Sequence, residues 1–314
     1  MSEPTLPLRR REQRRALRPT CDSTAGTPTL AVAAALALAL AGAGCSATTP
    51  FDDPSGLDRN RHIELDGADN FRDMGGYSTE DGRRVRWGKL FRSDDLTRLS
   101  PDDLEVLEAL GIRMVCDFRS RRERKHEPDR LPRRRPNVEA LEITMDDADP
   151  QTVRGRVLSG TLDEHDYRAV MTKGYRSFVA KHTPQFASLL RSLTDSTNIP
   201  ALVHCTGGKD RAGFAAALVL RTLGVPKETV MADYLLTNNY TERKREHQLW
   251  LIWFASLFRV SPESARPLMR ANPAYLDAAF AEIDTRYGSF DAYVENGLGL
   301  DETDVEHLRS MLLE

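Results

Sequence analysis

Cysteine, net charge and repeated segments are all scarce in this sequence of 314 residues. It has four cysteines, and no second cysteine or further histidine stands at zinc-ligand spacing from Cys205, so we expect no zinc there. Its 44 basic and 47 acidic residues give a net charge of −3, which excludes a general attraction to nucleic acid. No internal repeat is visible. With 29% charged and 40% hydrophobic residues, the composition is that of a globular protein rather than a disordered one.

Long hydrophobic runs are also missing, with one exception near the start of the chain. Six arginines between residues 9 and 18 precede an alanine- and leucine-rich run over residues 29–44, which ends in Gly-Ala-Gly-Cys45-Ser. About fifteen apolar residues are too few for a spanning helix but suit a signal-peptide core, so we predict a signal peptide over residues 1–44. The residues around Cys45 resemble a bacterial lipoprotein cleavage site, although Gly42 stands where such sites usually have leucine.

This segment has three interpretations. The chain is a lipoprotein with its lipid on Cys45, a secreted protein whose signal peptide is removed, or a protein with an uncleaved anchor. Each interpretation places the following domain outside the cytoplasm, and the first anchors it by lipid to the outer face of the cell membrane. Residues 45–60 contain threonine, proline, aspartate and glycine and are predicted to form a flexible tether to a domain over residues 61–314.

The most informative stretch is residues 199–213, Ile-Pro-Ala-Leu-Val-His-Cys-Thr-Gly-Gly-Lys-Asp-Arg-Ala-Gly. A short apolar run, a tight loop and an alanine-rich segment predict a strand, a turn and the start of a helix. Gly207 and Gly208 allow successive N–H groups to point inward, and the new helix contributes the positive end of its dipole. The pattern therefore predicts an anion cradle that fits a phosphate.

Cys205 and Arg211 stand where such a cradle would use them. The positive field of the loop favours the nucleophilic thiolate form of Cys205, and the planar guanidinium of Arg211 can hold two phosphate oxygens. The P-loop of nucleotide triphosphatases is excluded, because Asp210 follows Lys209 where that motif needs serine or threonine. The alternative is that Cys205 is a small buried apolar residue and that the glycines belong to an unrelated turn.

Residues 204–213 resemble the signature of the cysteine-based protein tyrosine phosphatases. The order Gly-Lys-Asp-Arg is similar to that of the secreted bacterial tyrosine and phosphoinositide phosphatases. Further blocks that resemble this family follow its order, at residues 70–77, 90–93, 117–123 and 231–239. The resemblance spans roughly residues 61–314. It implies an α/β fold with a central, mostly parallel sheet flanked by helices, a helical lid insertion, and no metal or cofactor.

The resemblance also implies catalytic roles. Cys205 would attack phosphorus, while Arg211 and the loop backbone would bind the phosphate; the loop residues concerned are Thr206, Gly207, Gly208 and Lys209. Asp210 would protonate the leaving group and then deprotonate the attacking water. The alternative acid lies on a separate loop, as one of the residues Asp146, Asp147 and Asp149. Lys209 would favour substrates with additional negative charge, or else be a solvated lysine.

Supporting roles are implied for residues outside the nucleophile itself. His204 would orient the loop through hydrogen bonds. Asp117 or Arg119 would orient Arg211, or else form a structural ion pair at a strand end. The block around residue 70 contributes three more supporting residues, Asn70, Arg72 and Asp73. Ala212 departs from the serine or threonine that many relatives carry, which puts the breakdown rate of the intermediate in question.

Two further stretches each allow two interpretations. Residues 119–135 contain nine basic and three acidic residues, which form either a solvated face or a guide for anionic substrates and lipid headgroups. Residues 247–258 are apolar on every face and too few to span a bilayer. We expect them to pack in the core; the alternative is a helix-pair lid over the pocket.

The remaining pattern gives a coarse map of elements. Strands are predicted at residues 61–66, 85–93, 112–118 and 138–144, with a loop over 145–150. Two helices flank Pro184 within residues 164–194, and two more are predicted at 275–287 and 301–313. Cys116 and Cys205 end neighbouring predicted strands, so a disulfide between them is considered as a minority hypothesis.

Three functions compete. The first is a tyrosine phosphatase that acts on phosphorylated proteins. The second acts on phosphoinositides or has broad specificity. The third is a non-catalytic phosphate-binding envelope protein, which the intact Cys205, Asp210 and Arg211 disfavour. We expect a monomer that contacts the membrane through its lipid anchor and binds no nucleic acid.

Overall fold

The computed structural model describes residues 61–144 and 162–314, and in these ranges the chain forms one five-stranded sheet. The strands are β1 (Arg72–Asp73), β2 (Leu90–Ser93), β3 (Met114–Asp117), β4 (Asn137–Ala140) and β5 (Ala201–His204). Their order is β1-β2-β5-β3-β4. The strand β1 runs antiparallel to β2, and the other neighbours are parallel.

Ten helices of six or more residues accompany the sheet within the described ranges. They are α1 (Pro101–Ala109), α2 (Arg121–His126), α3 (Glu164–Lys181), α4 (Thr183–Leu193), α5 (Arg211–Thr222), α6 (Lys227–Tyr240), α7 (Glu242–Ala255), α8 (Pro262–Met269), α9 (Pro273–Tyr287) and α10 (Glu302–Leu312). A short 3-10 helix (Ser196–Asn198) precedes β5, and a helical turn (Phe290–Ala292) leads into a π-helix (Tyr293–Gly297).

The strands β2, β3 and β5 bury side chains on both faces, as parallel strands covered by helices must, whereas the edge strand β4 is mostly exposed. Cys116 and Val203 point into the larger core, which contains aromatic residues of α3, α4, α5 and α9. Val115 and Leu202 point into the smaller core, which contains residues of α1. These findings confirm the predicted α/β fold with a mostly parallel sheet flanked by helices.

Strand register brings three sequence blocks to one edge of the sheet. Ser93 and Asp117, the last residues of β2 and β3, both pair with His204, the last residue of β5. Because these strands are parallel, the loops that follow them leave the sheet side by side. Ligands bind to open α/β sheets at this carboxyl edge, which makes it the place to look for a site.

Helix α5 runs behind the loop after β5 and is buried over most of its length. Its run of small residues lets it lie close to its neighbours: a Cβ at Gly213 would be 3.1 Å from an Nη atom of Arg92 and 3.1 Å from the ring of Tyr234. Alanine also has the highest helix propensity, so the same residues favour the helix and its close packing.

Two predictions about elements are wrong. The expected strand at residues 61–66 is reduced to an isolated bridge between His62 and Arg72. Residues 247–258 do not pack in the core, because most of the large side chains of α7 and the following turn are exposed. They belong instead to a helical pair, α7 and α8, inserted between α6 and α9.

Other predictions fall on residues that the structure does not describe. The signal peptide over 1–44, the tether over 45–60 and the loop over 145–150 with Asp146, Asp147 and Asp149 all lie outside the described ranges. Among the described helices, none has both the length and the apolar character needed to cross a bilayer.

Candidate active site

The loop between β5 and α5 is held open by bonds to its outer side. The three consecutive carbonyls of residues 206 to 208 accept hydrogen bonds, in turn, from the backbone N–H of Asp95 at 3.2 Å, from Nδ2 of Asn70 at 3.4 Å and from Nη2 of Arg92 at 2.8 Å. Since these carbonyls face outward, the intervening N–H groups face the interior of the loop. No described residue accepts a hydrogen bond from them. The result is the predicted anion cradle.

Gly208 is required by this shape. Its φ of +63° is in the left-handed region, and a Cβ there would lie 2.5 Å from Nδ2 of Asn70 and 2.7 Å from the backbone nitrogen of Asp94. Any side chain would therefore push the loop away from the segments that support it. Gly207 differs, because a Cβ at that position would meet nothing within 4 Å.

Arg211 begins α5 and points back towards the loop, where Glu123 of α2 holds it. Its two terminal nitrogens donate to the two carboxylate oxygens of Glu123 at 2.8 and 2.9 Å, and Nη2 also reaches the hydroxyl of Thr206 at 3.2 Å. The Thr206 hydroxyl donates to the same carboxylate at 2.5 Å. No described residue accepts a hydrogen bond from Nε of Arg211. This N–H group and the loop amides therefore remain available to a ligand.

The Arg211–Glu123 pair is strongly coupled. Burial raises the pKa of Glu123, but the hydrogen bonds and charge of Arg211 outweigh it and hold that pKa well below its ordinary value. Burial lowers the pKa of Arg211, but the hydrogen bonds to Glu123 and the electrostatic interactions with Cys205 and Glu123 raise it by more, so the net shift is upward. Both groups are therefore ionised at neutral pH, and the cation lies within electrostatic reach of the cysteine.

Neither the side chain of Asp117 nor that of Arg119 bonds Arg211, so an orienting role of either residue stays a prediction. Arg119 instead forms two-point contacts with Asp117, at 3.0 and 2.8 Å, and donates to Asp129 at 2.6 Å. This is the structural ion pair at a strand end that the sequence left as the alternative. The ion pair forms because Asp117 and Arg119 turn towards each other at the end of β3. Glu123, about one helical turn further on, bonds Arg211 instead.

His204 faces this ion-pair cluster rather than the loop. Its Nε2 lies 3.3 Å from Asp129 and 3.7 Å from Asp117, and neither ring nitrogen makes a hydrogen bond to a described residue. The expected hydrogen bonds from this ring to the loop are therefore not formed. The ligand atoms of His204, Asp117 and Asp129 lie within 4.8 Å of one another, a spacing that suits a metal ion. The guanidinium of Arg119 already bridges both carboxylates, so we assign no metal to this cluster.

Asp210 lies at the N-terminus of α5 with two partners. Its carboxylate makes no capping bond to the helix; it accepts a hydrogen bond from the hydroxyl of Tyr175 at 2.9 Å and lies 3.1 Å from the ammonium of Lys209. Tyr175 also bonds to the hydroxyl of Tyr234 at 2.7 Å. Burial, followed by the charge of Asp210, raises the pKa of both tyrosines, so they remain protonated donors.

Lys209 points to the helical pair. Its ammonium donates to the carbonyls of Leu268 at 2.9 Å and Arg270 at 3.4 Å, at the end of α8. With Asp210 as a third neighbour, its three N–H donors are all engaged. The predicted binding of phosphate by the Lys209 side chain stays a prediction. The contact shows that the end of the inserted helical pair lies against the catalytic loop.

The block around residue 70 supports the loop from the neighbouring strand. Asn70 bonds the Gly207 carbonyl directly. Arg72 and Arg92 share the fully buried carboxylate of Asp233 on α6, at 3.1 and 2.7 Å. Arg92 thus connects Asp233 to the carbonyl of Gly208.

Asp73, the third supporting residue predicted from that block, has a different place. Its carboxylate accepts the N–H groups of Gly75 and Gly88 at 2.7 Å each, and it makes no contact with the catalytic loop. Burial raises the pKa of Asp73 despite these bonds. It stabilises the turn between β1 and β2.

Cys205 is buried at the base of the cradle, and it does not form a disulfide. Both Cys116 and Cys205 are free thiols. Cys116 pairs with Val203, which leaves Cys205 two residues beyond it, about 8 Å away by ordinary strand spacing. That exceeds the roughly 7 Å limit for bridging, so the disulfide considered from the sequence is corrected. Burial raises the pKa of Cys116, which makes it an unreactive core residue.

Several residues of the site were missed in the sequence. Glu123 could have been predicted from the block after β3. It follows Ser120 at capping-box spacing, which places it on the first turn of a helix beside the site. Asp233 lay within a block that resembles the family but carried no assigned role. For Tyr175 the sequence offered no signal, because it is one aromatic residue of an amphipathic helix among several.

Comparison with known proteins agrees with this geometry. Residues 63–314 match the sequence model of the tyrosine phosphatase family. A candidate tyrosine-protein phosphatase of Cupriavidus necator is 36% identical over 258 residues, covering 81% of this chain and 90% of the relative. The triple specificity protein phosphatase PtpB of Mycobacterium tuberculosis is 33% identical over 277 residues, covering 80% and 98%. A tyrosine-protein phosphatase of Nostoc commune is 26% identical over 239 residues, covering 70% and 73%.

The fold and these relatives together define a phosphatase. The chain belongs to the tyrosine phosphatase family, and it is a protein tyrosine phosphatase.

Proposed function

We propose that this enzyme hydrolyses phosphotyrosine in proteins through a phosphocysteine intermediate on Cys205. The observation that carries the proposal is the outward anchoring of the carbonyls of residues 206 to 208, which leaves a ring of N–H groups above the thiol. Such preorganised donors stabilise the negative charge of a transferring phosphoryl group without reorganising during the reaction. Arg211, fixed by Glu123, adds a cation at the same place.

In the first step, the thiolate of Cys205 attacks phosphorus in line with the leaving oxygen. An S–P bond forms as the P–O bond to tyrosine breaks, and Asp210 gives its proton to that oxygen. The Tyr175 hydroxyl, 2.9 Å from the carboxylate, fixes the position of Asp210 and stabilises the anion left behind. The loop amides and Arg211 hold the three equatorial oxygens throughout.

In the second step, water attacks the phosphocysteine. Asp210 accepts a proton from the water, the S–P bond breaks, inorganic phosphate leaves and the thiolate returns. Ala212 has no hydroxyl to stabilise that departing thiolate, so the positive charge of Arg211 and the loop donors must do so. The alternative acids Asp146, Asp147 and Asp149 are not needed by this scheme, because Asp210 already lies at the cradle.

Phosphoinositides are the second candidate substrate. The relative PtpB is named a triple specificity phosphatase, and the stretch beside the site, residues 119–135, exposes a series of cations that suits polyanionic headgroups. Lys209 supports this candidate only if it leaves its bonds to Leu268 and Arg270.

The decisive experiment measures phosphate release from a phosphotyrosine peptide, a phosphoserine peptide and phosphoinositides. We expect the tyrosine peptide to be turned over, Cys205→Ser to lose about 10³-fold or more of kcat, and Asp210→Ala to lose about 10²- to 10⁴-fold. The loss in Asp210→Ala should be smaller for p-nitrophenyl phosphate, whose leaving group needs little protonation.

Three outcomes would change the proposal. Full activity in Cys205→Ser would end the thiolate mechanism. Preference for phosphoinositides would favour the second candidate. If Asp210→Ala lost the same fraction of activity on the tyrosine peptide and on p-nitrophenyl phosphate, Asp210 would not be the acid. One of Asp146, Asp147 and Asp149 would then take that role.

We also propose export and lipid anchoring through Cys45, with residues 1–44 as the signal peptide and 45–60 as the tether. The basic residues, apolar run and small residues before Cys45 support it. Labelling a bacterial host that expresses the full chain with a radioactive fatty acid tests it, with Cys45→Ala as the control. Equal labelling of both chains contradicts lipidation at this cysteine.

A further inference from the structure

The large apolar side chains exposed in the described ranges are concentrated on one element. Five of the seven lie on α7 and the turn after it, with exposed fractions between 51% and 70%; they are Trp250, Leu251, Phe254, Leu257 and Phe258. We call these five residues the apolar patch. Single exposed apolar residues are normal on a protein surface, but a contiguous group of this size marks an interaction site.

The patch is a continuous surface rather than scattered side chains. The half-buried Trp253 lies between its members, with ring centroids 5.1 Å from Trp250 and 4.5 Å from Phe258. The rings of Phe254 and Phe258 are 5.6 Å apart. Leu249 is the only buried apolar side chain of α7, so this helix turns one narrow side to the protein and its aromatic side outward.

The turn that ends the patch is built to expose it. Leu257 and Phe258 have φ values of +54° and +67°, a region that costs bulky residues conformational energy. Two hydrogen bonds hold this conformation, from the Phe258 N–H to the Trp253 carbonyl at 2.8 Å and from the Val260 N–H to the Ser256 hydroxyl at 3.1 Å. The turn is therefore ordered by its own bonds, with both side chains directed away from the core.

The charge that adjoins the patch along the chain is positive, and the nearest acidic residues, Glu246 and the exposed Glu263, lie four and five residues outside it. Residues 247–260 contain no acidic residue, and the exposed Arg259 directly follows the patch. The helix α2 and the segment after it expose seven basic side chains, Arg121, Arg122, Lys125, Arg130, Arg133, Arg134 and Arg135. Both elements contact the loop, α2 through Glu123 and α8 through the carbonyls that bind Lys209. Cations beside aromatic residues complement anionic headgroups above an acyl layer.

We infer that the apolar patch inserts into the surface of a bilayer that contains anionic lipids. The occupant is a lipid surface because the patch joins tryptophan and phenylalanine to cations, the combination that stabilises helices in the membrane interface. A lipid on Cys45, as proposed above, would also hold the enzyme close to a bilayer. The inference is independent of the substrate proposed above.

The test uses the full chain and a local signal, because residues 1–60 can bind vesicles by themselves. The chain has three tryptophans. In a Trp87→Phe background, only Trp250 of the apolar patch and the neighbouring Trp253 emit. Fluorescence is recorded with vesicles of phosphatidylcholine, and of phosphatidylcholine with phosphatidylglycerol, each with bromine on the acyl chains as a quencher.

We expect a blue shift and several-fold stronger quenching with the anionic vesicles, reduced by added salt. The triple variant Leu251→Ser, Phe254→Ser and Phe258→Ser should lose the quenching, while Val138→Ser, which changes an exposed apolar residue outside the patch, should keep it. Hydrolysis of p-nitrophenyl phosphate should be unchanged in both, which shows that they fold.

Two results would overturn the inference. One is an absence of quenching in the unsubstituted patch while the chain sediments with the vesicles. The other is a blue-shifted dimer without lipid, seen by light scattering, that the triple variant converts to a monomer, because a second copy of the chain would then cover the patch. The first result is obtained without any patch variant, so a failure of the triple variant to fold does not affect it.

Discussion

Glu123 supplies the carboxylate that fixes both terminal nitrogens of Arg211. A guanidinium held at two points has little freedom left, so its remaining donor meets the phosphate in one orientation. The hydroxyl of Thr206 bonds the same carboxylate and ties it to the loop. In the proposed mechanism, phosphate affinity and catalysis therefore depend on a residue that does not itself reach the substrate.

Replacing Glu123 by glutamine tests this dependence. The amide retains the shape but accepts with one oxygen only, so we expect kcat/KM to fall about 10- to 100-fold, the equivalent of one or two charged hydrogen bonds. The matched control is Glu127→Gln on the exposed end of the same helix, which should change kcat/KM less than twofold. Equal effects of the two substitutions would show that Glu123 does not position Arg211.

Tyr175 gives the second prediction at this scale. Tyr175→Phe removes the hydroxyl that donates to Asp210, so we expect kcat to fall about tenfold for alkyl and peptide substrates and less for p-nitrophenyl phosphate, with KM unchanged. Tyr293→Phe is the control, since it deletes a buried hydroxyl that bonds Thr183 away from the loop. Both variants should lose about 1 kcal/mol of unfolding free energy. A kcat loss common to both would indicate a structural effect alone.

At the scale of elements, one buried carboxylate joins a helix to two strands. Asp233 of α6 receives Arg72 from β1 and Arg92 from β2. Burial raises its pKa, but the charges of the two arginines outweigh burial and lower it overall. Removing one partner of a buried ion pair leaves charges unpaired in a medium that solvates them poorly.

We therefore predict that Asp233→Asn lowers the free energy of unfolding at pH 7 by about 3–5 kcal/mol in urea titrations. Because the folded pKa lies below the unfolded value of 3.8, this stabilisation is complete above that value and is lost as the pH falls through the folded pKa. The difference between the two proteins should thus shrink below pH 3.8. Asp277→Asn, which removes an exposed pair with Lys227, should cost about 0.5 kcal/mol or less. A constant difference at all pH values would exclude the charge as its cause.

The helical pair shows what an apolar pattern leaves open at this scale. Residues 247–258 are apolar enough to suit a core, and the sequence favoured that interpretation. In the structure the core is already closed by α3, α4, α5 and α9, so Leu249 is the only apolar side chain of α7 that is buried. Burial of an apolar side chain is favourable in free energy, but its hydrophobicity does not specify which surface will cover it.

For the molecule as a whole, the sheet register decides the redox behaviour of the two cysteines in the domain. We predict that the full chain, alkylated after denaturation without reductant, yields separately modified peptides for Cys116 and Cys205. The register keeps the two too far apart to bridge, and burial keeps Cys116 protonated. Recovery of a single peptide pair linked through these two cysteines, from the native enzyme, would contradict this.

The sequence by itself determined the catalytic loop and the fold class. Cys205, Asp210 and Arg211 lie within seven residues of one another, so a strand, two glycines and a helix start are enough to bring them together without help from the rest of the chain. The apolar runs likewise determined the buried parallel strands, because a strand covered on both faces needs such residues throughout.

Only the tertiary structure decided which residues support that loop. Glu123 meets Arg211 across 88 residues, Tyr175 meets Asp210 across 35, and Arg72 meets Asp233 across 161. A hydrogen bond depends on angstrom-scale placement, and placement across such separations is set by strand register and helix packing. The same packing turned Asp117 towards Arg119 and left the aromatic side of α7 exposed, which no local pattern specifies.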